Sequence, residues 1–143
     1  VENNLVIVDH WHGISLYGAV DCRIVNNTVL NPYPVIDQAR SIWIMVTDHK
    51  NGVQSTGCVM RNNICWNLNY SGDTVQDHNI IIGDPETYGQ FFVDPDSFDF
   101  HLRSEALAII DSGSPELAPL YDFDGNERPA GSAVDPGAFE YVP

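Results

Sequence analysis

The single lysine of the chain, Lys50, stands beside His49 and Asp48 in a polar stretch over residues 47–57. These side chains set an ammonium, an imidazole and a carboxylate next to one another. Such a group can neutralise the carboxylate of an acidic substrate and exchange a proton beside it. A solvated loop tip would have the same composition, but loops on rigid scaffolds carry function often enough to rank this cluster first. A second imidazole, His12, opens the segment His12-Gly13-Ile14-Ser15. A polar residue ahead of Gly-Ile also fits an ordinary corner between strands. Trp43, Tyr17 and Trp11 are the candidates for an outward aromatic surface, which suits sugar rings and equally suits packing beneath a loop. His49, Lys50 and His12 are therefore the catalytic candidates, and Trp43, Tyr17 and Trp11 the substrate-binding ones.

Asp94, Asp96 and Asp99, and Asp122 with Asp124, offer oxygen ligands that Ca²⁺ could take. The Asp122 segment lacks the spacing and terminal Glu of a calcium loop, so turn formation is the better reading there. Ca²⁺ is the one cofactor the sequence leaves open, and no metal ligand set is assigned. The three cysteines, Cys22, Cys58 and Cys65, show no metal spacing, and an odd count argues against a disulfide framework. Cys22 and Cys58 lie 36 positions apart and are expected to stack as small apolar residues. Asn26-Asn27-Thr28 and Asn69-Tyr70-Ser71 match glycosylation acceptors, the first expected to face the core.

A repeated phrase must position these residues. Val1-Glu2-Asn3-Asn4-Leu5-Val6-Ile7 matches Ile24-Val25-Asn26-Asn27-Thr28-Val29-Leu30 at an offset of 23, and the latter matches Met60-Arg61-Asn62-Asn63-Ile64-Cys65-Trp66 at 36. A fainter echo follows at His78-Asn79-Ile80-Ile81-Ile82. Self-similarity at roughly 20–25 residues marks a solenoid, in which one coil cannot bury its apolar face alone. Short runs of Val, Ile and Leu make the repeat a β-solenoid. Asn suits a sharp corner because it tolerates left-handed backbone angles, and stacked amides can hydrogen-bond from coil to coil. Gly13 to Tyr17 alternates as a strand with Ile14 and Leu16 inward. Residues 41–46 form its match after a corner enlarged by Asn31-Pro32-Tyr33-Pro34. Aligning Ile14 with Ile42 and Leu16 with Ile44 predicts Trp43 and Met45 outward, above Ser15 and Tyr17. Residues 91–93 and 98–102 read as last, less regular strands, and 104–113 as holding a short helical turn. The domain then divides into solenoid coils over 1–113 and a Pro-, Gly- and Asp-rich capping tail over 114–143.

In 143 residues, 20 acidic side chains face six basic ones, for a formal charge of −14. Phosphate binding relies on clustered Lys and Arg, so nucleic acid is excluded as a partner. No apolar run approaches the roughly 18–20 residues of a membrane helix. Hydrophobic residues make up 43%, enough for a core. The chain opens on Val1 already inside a repeat, which reads as a processed or truncated piece with an uncapped edge through which copies could associate.

The Asn-Asn phrases and the alternating Gly-Ile-Ser-Leu strand resemble right-handed parallel β-helix proteins of the pectate-lyase-like class. Residues 91–113 resemble the closing turn of bacterial secreted members. Asp122-Phe123-Asp124-Gly125-Asn126-Glu127-Arg128-Pro129 and Val134-Asp135-Pro136-Gly137-Ala138-Phe139-Glu140-Tyr141 resemble their terminal cap. The resemblance implies an all-β, right-handed parallel β-helix of about four turns with an irregular C-terminal cap. It implies the C-terminal portion of a secreted, extracellular bacterial protein acting on an acidic polysaccharide by β-elimination or epimerisation. His49 and Lys50 would then transfer the proton or bind the carboxylate. Two alternatives remain: a non-catalytic scaffold or glycan-binding module, and a polygalacturonase-like hydrolase. The last rests on His12-Gly13, similar to the Gly-His-Gly segment of those enzymes, but Trp11 replaces the first Gly and no neighbouring Asp-Asp pair or Arg-Ile-Lys motif is present.

Overall fold

The structure, a computed structural model, describes residues 1–32 and 42–143. The expectations for Tyr33, Pro34 and Ser41 lie outside the described residues. Ten short strands recur in a cycle of three positions. They are β1 (Leu5–Ile7), β2 (His12–Tyr17), β3 (Arg23–Val25), β4 (Thr28–Leu30), β5 (Trp43–Thr47), β6 (Val59–Arg61), β7 (Ile64–Cys65), β8 (Asn67–Tyr70), β9 (Val75–Asp77) and β10 (Ile80–Ile81). They stack into three sheets, β1-β4-β7-β10, β2-β5-β8 and β3-β6-β9. Every pairing within these three is parallel. The chain is therefore an all-β parallel solenoid.

Each Asn-Asn phrase divides its labour at the corner between β3-β6-β9 and β1-β4-β7-β10. The first member takes the left-handed conformation, with φ of 54° at Asn3, 52° at Asn26 and 55° at Asn62; His78 does so at 50° in the fainter echo. The second member turns inward and builds a ladder. Asn4 Nδ2 donates to Asn27 Oδ1, Asn27 Nδ2 to Asn63 Oδ1 and Asn63 Nδ2 to Asn79 Oδ1, each at 2.9–3.0 Å. Asn27 and Asn63 are fully buried, and the ladder satisfies amides that would otherwise be costly to bury. The steps of 23, 36 and 16 residues reproduce the offsets of the sequence phrases.

The interior is filled by Ile24, Val29, Ile42, Ile44, Val46, Cys58, Met60 and Cys65. Val59 N–H donates to Cys22 O at 2.9 Å, which sets Cys22 and Cys58 on successive coils as expected, and all three cysteines are free thiols. The β1-β4-β7-β10 sheet is apolar on both faces: Val6, Val29 and Cys65 point inward, while Leu5, Ile7, Leu30, Ile64 and Ile80 join a second cluster outside. A parallel sheet with runs of this kind needs cover on both sides.

Residues after Gly83 supply that cover. A short helix α1 (Tyr88–Phe91) leads into β11 (Phe92–Asp94), which pairs antiparallel with β12 (Asp99–Leu102). Tyr88, Phe92 and Phe100 pack edge to face with centroids 5.2–6.1 Å apart. Residues 104–113 form tight turns, such as Ile109 N–H to Ala106 O at 2.8 Å, without a regular helix. Residues 114–143 contain no strand or helix and lie along the Asn corner. Asn62 Nδ2 donates to Ser114 O, Asn26 Nδ2 to Asp135 O and Asn3 Nδ2 to Tyr121 O. Arg128 forms a buried ion pair with Glu140 and reaches Asn3 Oδ1 at 3.2 Å. Gly137 presses so closely on the sheet that a Cβ there would lie 2.7 Å from Ile64 Cδ1. The contacts of the tail thus run lengthwise along the stack, from Asn62 to Asn3.

Candidate functional site

Three residues apart in a regular strand means opposite faces, yet His12 and Ser15 share the outer face of β2. Gly13 is the reason. Register slips between His12 and Ile14, so that His12 pairs with Trp43 and Ile14 with Ile44. Two residues of β2 therefore oppose one of β5, a bulge of the kind that re-aims side chains. A Cβ on Gly13 would meet Val29 Cγ1 at 2.2 Å and Ile42 Cγ2 at 3.3 Å, so only Gly fits. With the parity reset, Ser15 Oγ lies 3.2 Å from His12 Nδ1.

The observed pairing corrects the expected register by two residues. Ile14 stacks on Ile44 and Leu16 on Val46, not on Ile42 and Ile44. Trp43 consequently sits over His12 and Met45 over Ser15, one step from their expected neighbours. Met45, though on the outward side, is 4% exposed, and its sulfur accepts Asn69 Nδ2 at 3.4 Å.

Most of the candidate residues converge on this face. The His12 ring lies 5.9 Å from Trp43, 6.3 Å from Tyr17 and 5.5 Å from His10. Tyr17 meets His49 edge to face at 6.4 Å. Tyr17, His49 and Lys50 line a shallow pocket of about 290 Å³. The loop is pinned by Asp48, whose Oδ1 accepts Ser55 N–H at 2.9 Å and Ser71 Oγ–H at 3.0 Å. Asp48 is thereby a loop brace. Trp11 stands apart: its carbonyl accepts Trp43 N–H at 3.1 Å, but its side chain is exposed and outside these ring contacts.

Charge singles out one cation. Every described arginine faces a carboxylate: Arg23 with Glu2, Arg61 with Asp77 and Glu116, Arg103 with Glu105, Arg128 with Glu140. Lys50 has no carboxylate partner among the described residues. In a chain of net charge −14, an unpaired ammonium beside an imidazole marks where an anionic group would be drawn.

Three of the acidic groups considered for Ca²⁺, Asp99, Asp122 and Asp124, are occupied as acceptors. Asp122 Oδ1 takes the N–H groups of Asp124 and Asn126, and Oδ2 takes Asn126 Nδ2 and Glu140 N–H. Asp99 and Asp124 bracket His101 at 2.6 Å on each side. Burial alone would lower the pKa of His101, but its bonds to Asp124 and Asp99 outweigh this and raise it. No group of three or more His, Cys, Asp or Glu side chains poised for a metal occurs among the described residues. The acceptor site at Asn26-Asn27-Thr28 is buried, as expected.

His10 and Ser15 belong to the face although the sequence reading did not place them among its site residues. His10-x-His12 alternation was the available signal for the first; the second depended on the bulge. No protein-family model, curated protein or solved structure matches the chain.

Proposed function

We propose that the outer face of β2-β5-β8 binds an acidic polysaccharide and that the protein is part of a secreted, carbohydrate-active, right-handed β-helix of the pectate-lyase-like class, with about four turns in this chain. The observation that carries this reading is Lys50: an ammonium without a carboxylate partner among the described residues, in a pocket with Tyr17 and His49. The Tyr17 ring in turn meets His12, and His12 meets Trp43. An anionic sugar supplies the missing countercharge, and Trp43 and Tyr17 supply apolar surface for its rings. The reaction class is β-elimination or epimerisation, in which a carboxylate is neutralised and the proton on the adjacent carbon is moved.

A glycan-binding module without turnover is the second reading, favoured by the exposure of Tyr17, His49 and Lys50. Absorbance at the unsaturated-uronate band on alginate, pectate and chondroitin, with and without Ca²⁺, separates the two. NMR of uronate composition on the same samples detects epimerisation. Turnover lost in His49→Ala and Lys50→Ala supports the enzymatic reading. Binding without turnover in either assay establishes the module, and activity unchanged in both variants removes this pocket from the reaction.

A further inference from the structure

The five histidines fall into three groups according to what faces Nδ1. His78 Nδ1 lies 2.9 Å from Asp77 Oδ1, and His101 Nδ1 lies 2.6 Å from Asp99 Oδ1. Ionised carboxylates only accept, so both of those nitrogens carry protons. On the candidate face the arrangement is reversed. His10 Nδ1 accepts the backbone N–H of His12 at 3.1 Å, and His49 Nδ1 accepts that of Asn51 at 3.2 Å. A peptide N–H can only donate, so each ring keeps its Nδ1 lone pair and bears its proton on Nε2. The free nitrogen of His10 and of His49 is thus an N–H donor with no lone pair to offer. A second proton, placed on Nδ1, would set donor against donor and break the bond.

His12 is different because its Nδ1 partner is a hydroxyl. Ser15 Oγ, at 3.2 Å, donates or accepts by rotation about its Cβ–Oγ bond. A ring protonated at Nε2 accepts from Oγ–H; a ring protonated at Nδ1, or at both nitrogens, donates to Oγ. Every protonation state of His12 therefore keeps the bond.

We propose that His12 is the proton-transfer residue of this face, that Ser15 is its positioning residue, and that His10 and His49 are fixed N–H donors holding an acceptor-rich ligand beside Lys50. This rests on the polysaccharide-binding reading above and changes the part played by His49 within it. In an elimination, the Nε2 lone pair of His12 takes the carbon-bound proton while Nδ1–H stays on Ser15 Oγ. The carbon's electron pair becomes the new double bond and expels the β-oxygen, which receives the proton back from Nε2. Tyr17 touches the rings of both His12 and His49, so a ligand on its surface reaches the donor and the proton acceptor together.

Two measurements test this. In ¹⁵N-labelled protein above the imidazole titration range, His10 and His49 should show protonated Nε2 and bare Nδ1. Ser15→Ala should shift the ring nitrogens of His12 alone, and Ser15→Thr, which keeps the hydroxyl, should restore them. In the unsaturated-uronate assay, His12→Ala should lower kcat on the order of 10²–10⁴-fold, the range for general acid–base groups. Ser15→Ala should lower kcat and displace its pH profile with KM nearly unchanged, while His49→Phe should raise KM at nearly constant kcat. A protonated Nδ1 in His49, or His12 resonances indifferent to Ser15→Ala, overturns the assignment whether or not a substrate is turned over. Tautomers as stated with no turnover of any uronate polymer overturn the transfer role of His12 and the enzymatic reading, leaving the donor assignment standing.

Discussion

Replacing Asn63 by alanine should reveal how much of the fold the amide ladder holds. Asn63 Nδ2 donates to Ile24 O and Asn79 Oδ1, both at 2.9 Å, and Asn63 Oδ1 accepts the backbone N–H and Nδ2 of Asn27, both at 3.0 Å. Asn63→Ala removes all four bonds. Asn27 Nδ2 still reaches Val25 O at 3.0 Å, but the Asn27 backbone N–H is left buried without an acceptor. One orphaned donor costs about 1–3 kcal/mol and each of the three other lost bonds about 0.5–1.5, so the loss should be about 5 kcal/mol. For a chain of this size that corresponds to roughly 10–20 °C in Tm. Asn4→Ala is the control: Asn4 is exposed at the ladder's end, and water replaces its amide at a cost below about 1 kcal/mol. Urea unfolding followed by tryptophan fluorescence measures both. Equal losses in the two variants, or a loss under about 1 kcal/mol for Asn63→Ala, would refute the ladder as a principal stabilising element.

Three further outcomes follow from titratable groups. Hydrogen bonds from Arg61 hold Asp77 down to about 2 against its burial, with His78 helping. Against an unfolded value near 3.9, its contribution is complete above about pH 4 and lost as pH falls through about 2. The stability gap between wild type and Asp77→Asn should close across that window in acid unfolding curves, and a gap independent of pH would contradict this. His101 has a raised pKa, so its contribution is complete below about pH 6.5 and lost as pH rises through the folded value. Urea midpoints of wild type and His101→Gln should therefore converge on the alkaline side; divergence there would sink the double carboxylate bridge. Burial pushes the Cys65 thiol up to about 12, and Cys58 is buried beside it, whereas Cys22 is only half-buried. A thiolate-directed reagent should modify one thiol per native chain and all three after denaturation, and two fast-reacting native thiols would show the interior to be open.

What the sequence made legible was whatever the period-bearing residues encode. The Asn-Asn phrases located the corners and the coil-to-coil steps, because left-handed tolerance and amide stacking are properties of Asn itself. The register of β5 was off by two because the sequence between β4 and β5 carries no repeat to count, and the bulge itself shows only in the space that Val29 and Ile42 take around Gly13. Outward parity of Trp43 survived the slip; its neighbour did not. His49, Lys50, Tyr17, His12 and Trp43 were all chosen from sequence, but their meeting on one face depended on that bulge and on the loop braced by Asp48. The path of residues 84–143 carries no period to read. The apolar runs over 91–93 and 98–102 were legible there as strands, and they form the pair β11-β12.

The bonds from Asn3, Asn26 and Asn62 to the tail span as many as 118 residues, and the Arg128–Asn3 bond spans 125. A linear array of repeats ordinarily frays coil by coil from its ends, its stability a sum of neighbouring terms. Here residues 121–128 clasp the coil that holds Asn3, so that coil lacks these outer partners until the later segment docks as a final step. Loop closure over such separations makes that final step slow. Once made, the clasp couples both ends of the array, so the chain should melt in a single cooperative transition, and shortening it at the C-terminus should loosen the coil at the N-terminus.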